Sequence, residues 1–254
     1  MQVDFGKTTA DYDRHRRGFP AEFFAAVFER GIGLPGTPLL DLGCGTGALG
    51  LSFARRGARV TAIDRAREQL AALRRRALEL GLEVALVQAS AEATGLCASS
   101  FETITIGQAW HWFDAPSAAR ELRRLLAPRG RVLLASYDWL PLPGSVVERT
   151  EALILEHNPA WNMAGLDGRH PEWERDLLAA GFEILETVYE ELPASYSHED
   201  WRGRIRASAG VAASLSPAAV ELFDSRLADL LREFAPADPL EIPHRYGFCL
   251  ARIA

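Results

Sequence analysis

Leu39-Leu-Asp-Leu-Gly-Cys-Gly-Thr-Gly-Ala-Leu-Gly50 decides the fold of this 254-residue chain. The run Pro38-Leu-Leu-Asp41 reads as a buried strand, and it passes straight into glycines. Ala48 to Arg56 then reads as a helix that Gly57 stops. Glycines at such a junction let the backbone turn tightly and come close to a ligand at the helix N-terminus. Two kinds of ligand use a turn of this sort. Gly45-Thr-Gly47-Ala-Leu-Gly50 satisfies the Gly-x-Gly-x-x-Gly dinucleotide pattern, and Asp64 follows Gly45 by 19 residues, where a ribose-binding acid is expected. On that count an NAD-dependent oxidoreductase is open. Asp41 leans the other way, because an acid two residues before the first glycine would repel a pyrophosphate and attract an ammonium.

Outward from the turn, strand and helix alternate at short spacing. Arg59–Ile63 reads as a second strand ending at Asp64, Arg67–Leu80 as a helix, and Val84–Val87 and Phe101–Ile106 as strands three and four. Asp114 caps a helix over Pro116–Leu126, Pro128-Arg-Gly130 ends it, and Arg131–Ala135 is strand five. The near-continuous apolar strands are those of a parallel sheet buried on both faces. Beyond them, helices are expected over Val146–Glu156, Pro171–Ala180, His198–Ala213 and Pro217–Glu233, with strands over Gly181–Tyr189 and Ile242–Ile253. The expected fold is α/β: a Rossmann-like, doubly wound, mostly parallel seven-stranded sheet. Its last two strands form an antiparallel edge pair, and helical additions make a lid. The chain reads as one domain, with an N-terminal helical segment (1–36), a cofactor-binding core (37–137) and substrate-side helices and edge strands (138–254).

Composition narrows the partners. The net charge of −6 weighs against a nucleic-acid substrate, since phosphate neutralisation dominates that affinity. No apolar run approaches the ~20 residues that cross a bilayer, and Met1–Lys7 lacks the apolar core of a secretory signal. Cys44, Cys97 and Cys249 are far apart, as reduced thiols are in a cytoplasm, and no zinc spacing is present. The expectation is a soluble cytoplasmic protein that acts on a small molecule, with no metal, membrane or nucleic-acid partner. The run Arg65, Arg67, Arg74, Arg75, Arg76 reads as the solvated face of a helix.

The turn resembles motif I of the class I S-adenosylmethionine-dependent methyltransferases. Asp64, with Arg65 beside it, matches the acid that bonds both ribose hydroxyls in that family. Ser90-Ala91-Glu92 matches the segment that holds adenine, with Ser90 where Asp is common. Gln108-Ala109-Trp110-His111-Trp112-Phe113-Asp114 resembles a small-molecule branch that includes trans-aconitate methyltransferase-like proteins. Tyr12-Asp-Arg-His-Arg16 resembles that branch's N-terminal segment, where Tyr12 and Arg16 would close over the methionine end; an Arg fork suits its carboxylate. The resemblance thus implies S-adenosyl-L-methionine as cofactor. Asp41, Gly43, Cys44, Gly45, Gly47, Gln108 and Ala109 join Tyr12, Arg16, Asp64, Arg65, Ala91 and Glu92 around it, Cys44 as a small filler.

The acceptor side is expected from Trp110, Trp112, Tyr137, Trp139 and Arg206. Trp110 and Trp112 are candidates for the core or for a polarizable wall near the sulfonium. Trp139, Trp161 and Trp201 would make the lid aromatic, as an organic pocket requires, and an inward Arg206 would favour an anionic acceptor. His111 is the candidate catalytic residue, an imidazole able to take a proton from a hydroxyl or amine. No Asn/Asp-Pro-Pro-Tyr/Phe loop follows strand four and no Pro-Cys dipeptide is present, so the DNA-methylating patterns are missing. A non-catalytic S-adenosylmethionine-binding module stays open beside the enzyme.

Overall fold

Five apolar segments build the parallel part of the sheet. In the computed structural model, which describes residues 18–254, β1 (Pro38–Leu42) lies between β2 (Arg59–Asp64) and β4 (Phe101–Gly107), parallel to both. β3 (Val84–Gln88) extends the sheet beyond β2, and β5 (Leu126–Trp139) lies beside β4. Two later strands, β6 (Phe182–Tyr196) and β7 (Leu240–Ile253), complete the order β3-β2-β1-β4-β5-β7-β6. β7 runs antiparallel between β5 and β6, so the expected sheet and its antiparallel edge are present.

The helices are α1 (Ala21–Glu29), α2 (Gly50–Arg55), α3 (Arg67–Glu79), α4 (Ala115–Leu125), α5 (Val146–His157), α6 (Pro171–Ala179), α7 (His198–Arg206) and α8 (Pro217–Phe234). None is long and apolar enough to cross a membrane among the described residues. Several boundaries differ from the sequence reading, β5 among them, which runs on past Ala135 to Trp139. Pro128-Arg-Gly130, expected as a helix stop, lies inside β5, where the pairing register with β4 shifts between Phe101 and Thr103. Arg129 takes a left-handed φ of 65° there, and a Cβ on Gly130 would fall 2.9 Å from the Ala127 carbonyl, so the extra residues fold into a tight bulge. β6 runs on to Tyr196, and α7 stops at Arg206 with turns following it.

The described chain divides into two compact units, residues 18–137 with 170–189 and 246–254, and residues 138–169 with 190–245. In the first, Leu40, Leu42, Ile104, Ile106, Val132 and Leu134 meet Ala118, Leu122, Trp173 and Leu177 in a buried core. A smaller cluster of Cys44, Leu51, Ala62, Leu70, Leu73 and Ala77 lies under the glycine turn. Burying a Leu or Ile side chain in such a core is worth about 1.5–3 kcal/mol.

The second unit is held by its own aromatics. Trp201 is fully buried, donates from Nε1 to Thr150 Oγ1 at 3.2 Å, and meets Trp139 and Tyr196 edge-on. Trp161 is also buried, against the position a Cβ on Gly210 would take. Trp161 and Trp201, expected to make the lid aromatic, are packed inside this unit.

Candidate functional site

The turn after β1 is tied down by backbone amides. Gly43 and Cys44 both donate to the Ile63 carbonyl at 2.9 Å, and Gly47 donates to the Cys44 carbonyl at 2.9 Å. Gly43, Gly45 and Gly47 have φ values of 70°, 52° and 88°, a region that side-chain-bearing residues avoid. At Gly43 space is short as well, because a Cβ would sit 2.8 Å from the Ala109 Cβ and 2.9 Å from the Phe113 ring. The glycine thus lets the turn close onto the segment that follows β4. Phe113, which the sequence reading passed over, is the wall on that side.

Asp64 stands at the tip of β2 facing this turn. Its Oδ2 accepts from Gly45 N and its Oδ1 from Ala66 N, both at 2.9 Å. A carboxylate carries about four acceptor positions, so each oxygen keeps one for a ligand hydroxyl. Arg65 beside it is exposed, and its carbonyl accepts from Gln88 Nε2.

Asp41 lies beneath the turn, 1% exposed. Its Oδ2 accepts from Gly50 N at 2.9 Å and its Oδ1 from Thr105 Oγ1 at 3.1 Å. Burial pushes its carboxyl up to about 7, against the pull of those two donors, and the charge of Asp64 adds to the rise. Asp41 therefore organises the first turn of α2 from below. Thr105, on the neighbouring strand, is its unforeseen partner. Burial raises the Cys44 thiol well above its ordinary range, with Asp41 and Asp64 adding to the effect, as suits a filler.

The third strand's loop carries Ala91, buried, and Glu92, half-buried. Glu92 accepts from the Ser90 hydroxyl and from Asp114 N. Burial works to raise its carboxyl, but those bonds prevail and hold it below its usual range. Asp114 in turn caps α4 by accepting from Ser117 N at 3.1 Å.

Gln108 follows β4 with a left-handed φ of 52°, a strained conformation for a non-glycine. Its amide donates to Ala135 O at 2.8 Å and its Nε2 to Tyr137 O at 2.6 Å, which ties the ends of β4 and β5 together. Ala109 is buried against the Gly43 turn. Trp110 is 3% exposed, belongs to the sheet core and donates from Nε1 to Asp176 at 3.1 Å. Of the two readings open for it, the structure gives the core. His111 and Trp112 occupy an exposed 3₁₀ turn with their rings 4.7 Å apart. Tyr137 is buried, its ring near Phe19.

The remaining candidates lie in the second unit or outside the description. Trp139 donates from Nε1 to Glu151 at 2.7 Å, with the Arg204 guanidinium 4.6 Å over its ring. Arg206 donates to Asp224 at 2.6 Å, and Arg202 bonds the same carboxylate. Arg206 thus shares one carboxylate with Arg202 inside its own unit. Tyr12 and Arg16 fall outside the described residues.

A doubly wound sheet with a glycine turn after β1 and an acid at the tip of β2 defines a Rossmann-like fold built for a nucleoside-bearing ligand. Comparison with known proteins narrows the class. A family described as a methyltransferase domain matches residues 39–130. A ubiquinone biosynthesis O-methyltransferase of Stutzerimonas stutzeri is 36% identical over 171 residues, 65% of this chain and 74% of its own length. An uncharacterized methyltransferase of Mycobacterium tuberculosis is 36% identical over 134 residues, so the match spans about half of each, 52% of this chain and 51% of the relative. A solved structure from Anaeromyxobacter dehalogenans, provisionally named a type II methyltransferase, superposes with a TM-score of 0.67 and 25% identity over 93% of this chain and 97% of that one. The chain belongs to the class I S-adenosylmethionine-dependent methyltransferases.

The site residues fit the cofactor of that family. Asp64 keeps acceptor capacity on both oxygens, where a ribose diol has two donors. The Gly43–Gly47 turn holds that carboxylate at its edge through the Gly45 amide.

Proposed function

We propose that this protein methylates a small organic acceptor at the expense of S-adenosyl-L-methionine. The observation that carries the reading is the pairing of Asp64 with the Gly43–Gly47 turn: a carboxylate fixed by two amides, with acceptor capacity kept on each oxygen. The bound cofactor would supply an already activated methyl group, so the chain's task is alignment, a term worth about 7–11 kcal/mol in favourable cases. Asp64 would bond the ribose diol, with Arg65 beside it. The turn, with Cys44 and Ala109 as small residues, would leave room for the nucleoside. Ala91 and Glu92 would border the adenine, and Tyr12 and Arg16 the methionine end. Gln108, tied to Tyr137, would hold the acceptor side in register. Trp112, exposed beside His111, is the aromatic residue proposed for the acceptor. His111 would take the acceptor's proton as the new bond forms. The Stutzerimonas relative, by its name an O-methyltransferase of ubiquinone biosynthesis, supports a small acceptor and favours oxygen as the atom methylated.

Calorimetric titration with S-adenosylhomocysteine and, separately, with NADH tests the reading. Saturable binding of the first alone is expected. Tight NADH binding with no response to S-adenosylhomocysteine would overturn it in favour of an oxidoreductase. His111→Gln should lower kcat while sparing S-adenosylhomocysteine affinity; an unchanged kcat would remove the base.

A further inference from the structure

We infer that Arg76 is a positioning residue for the cofactor turn, an inference that rests on the proposed reading of that turn. Arg76 belongs to the arginine run of α3 that the sequence presents as a solvated face. Arg74 and Arg75 do face solvent, but Arg76 is half-buried and reaches back toward the site. Its Nη1 donates to the Thr46 carbonyl at 3.0 Å and to the Thr46 hydroxyl at 3.2 Å.

Thr46 is 3% exposed and stands between Gly45 and Gly47, at φ values of 52° and 88°. A residue flanked by two glycines sits on the most permissive backbone available, so its peptide groups turn cheaply into other arrangements. One guanidinium gripping both its carbonyl and its hydroxyl fixes the backbone and the side-chain rotamer together. Asp64 holds the same turn through Gly45 N, so Arg76 secures the stretch that Asp64 does not reach. Without that grip the binding-competent turn becomes one conformer among several, and apparent affinity falls by the fraction still correctly shaped. Once cofactor is bound, the turn is shaped by the ligand itself, so turnover at saturation should change little.

Arg76→Ala should raise the Kd for S-adenosylhomocysteine and the KM for S-adenosylmethionine together, by about tenfold if a tenth of the population keeps the turn. The kcat and the acceptor KM should hold within about twofold on the same argument. Arg76→Lys should recover part of the affinity, because an ammonium can still donate to both oxygens. Thr46→Val should give a smaller loss, and Thr46→Val with Arg76→Ala no more than Arg76→Ala alone. Hydrogen exchange on the free proteins should show the Gly45 and Gly47 amides opening faster in Arg76→Ala while those of β1 and β4 are unchanged. Wild-type affinity in Arg76→Ala, or a loss falling on kcat instead, would overturn the inference. If wild type itself fails to bind S-adenosylhomocysteine, the functional reading falls, while the exchange measurement still decides whether Arg76 holds the turn. Should Arg76→Ala not fold, Arg76→Lys and Thr46→Val carry the same tests.

Discussion

Asp41 links protonation to stability at a single buried carboxyl. The folded chain holds its proton up to about pH 7, whereas the unfolded chain releases it near the ordinary value of 3.8. Folding therefore takes up a proton between those values. The contribution of Asp41 to stability is full below them, declines as pH rises through the window, and is level above it. Asp41→Asn cannot titrate, yet it can accept from Gly50 N and donate to Thr105. The urea midpoint of wild type minus that of Asp41→Asn should fall from pH 4.5 to 7 and then flatten; parallel curves would show that Asp41 titrates alike in both states. Gly43→Ala should cost about 2–4 kcal/mol by urea unfolding, from a left-handed φ and overlap with the Ala109 Cβ. A loss under 1 kcal/mol would mean that the turn relaxes freely. Glycines at a turn are local signals, and those of motif I stand out in the chain itself. Thr105 lies 64 residues from Asp41 and Arg76 lies 30 from Thr46, so neither contact leaves a local trace. A run of arginines tells of a helix face and not of the one side chain that folds back.

Elements were legible where hydrophobic period and caps agree. α5 begins at Ser145, which accepts from Glu148 N at 3.2 Å, while Glu148 accepts from Gly144 N at 2.8 Å, a reciprocal variant of the capping box. Ser145→Ala should lower stability by about 1 kcal/mol in urea unfolding, and Ser145→Asp should restore it. Equal midpoints for all three proteins would show that the cap contributes nothing. The bulge in β5 was hidden for the opposite reason. Pro128 and Gly130 ordinarily stop a helix, and only pairing with β4 turns their surroundings into strand. The extension of β6 to Tyr196 likewise depends on a neighbour distant in sequence.

The fold of the whole chain followed from strand–helix rhythm, because parallel strands buried on both faces have few other solutions. The packing of the second unit is not legible at this scale: tryptophans that look like a ligand wall in sequence are equally able to fill a core, as Trp201 does. A ligand that binds only the native state raises stability by about 2.7 kcal/mol at a hundred times its Kd. S-adenosylhomocysteine should therefore raise the melting temperature in proportion to the logarithm of its concentration, and NADH should leave it unmoved. No shift with either compound would count against a cofactor site anywhere in the molecule.

The seat of β7 between β5 and β6 has a consequence during synthesis. Leu240–Ile253 leaves the ribosome well after Phe182–Tyr196, so the outermost strand waits, unpaired, for the one that must slip in beside it. At about 5–20 residues per second the delay is seconds long. A nascent chain halted before Leu240 would display an open β-edge to its neighbours on the polysome, and chaperone demand should peak there.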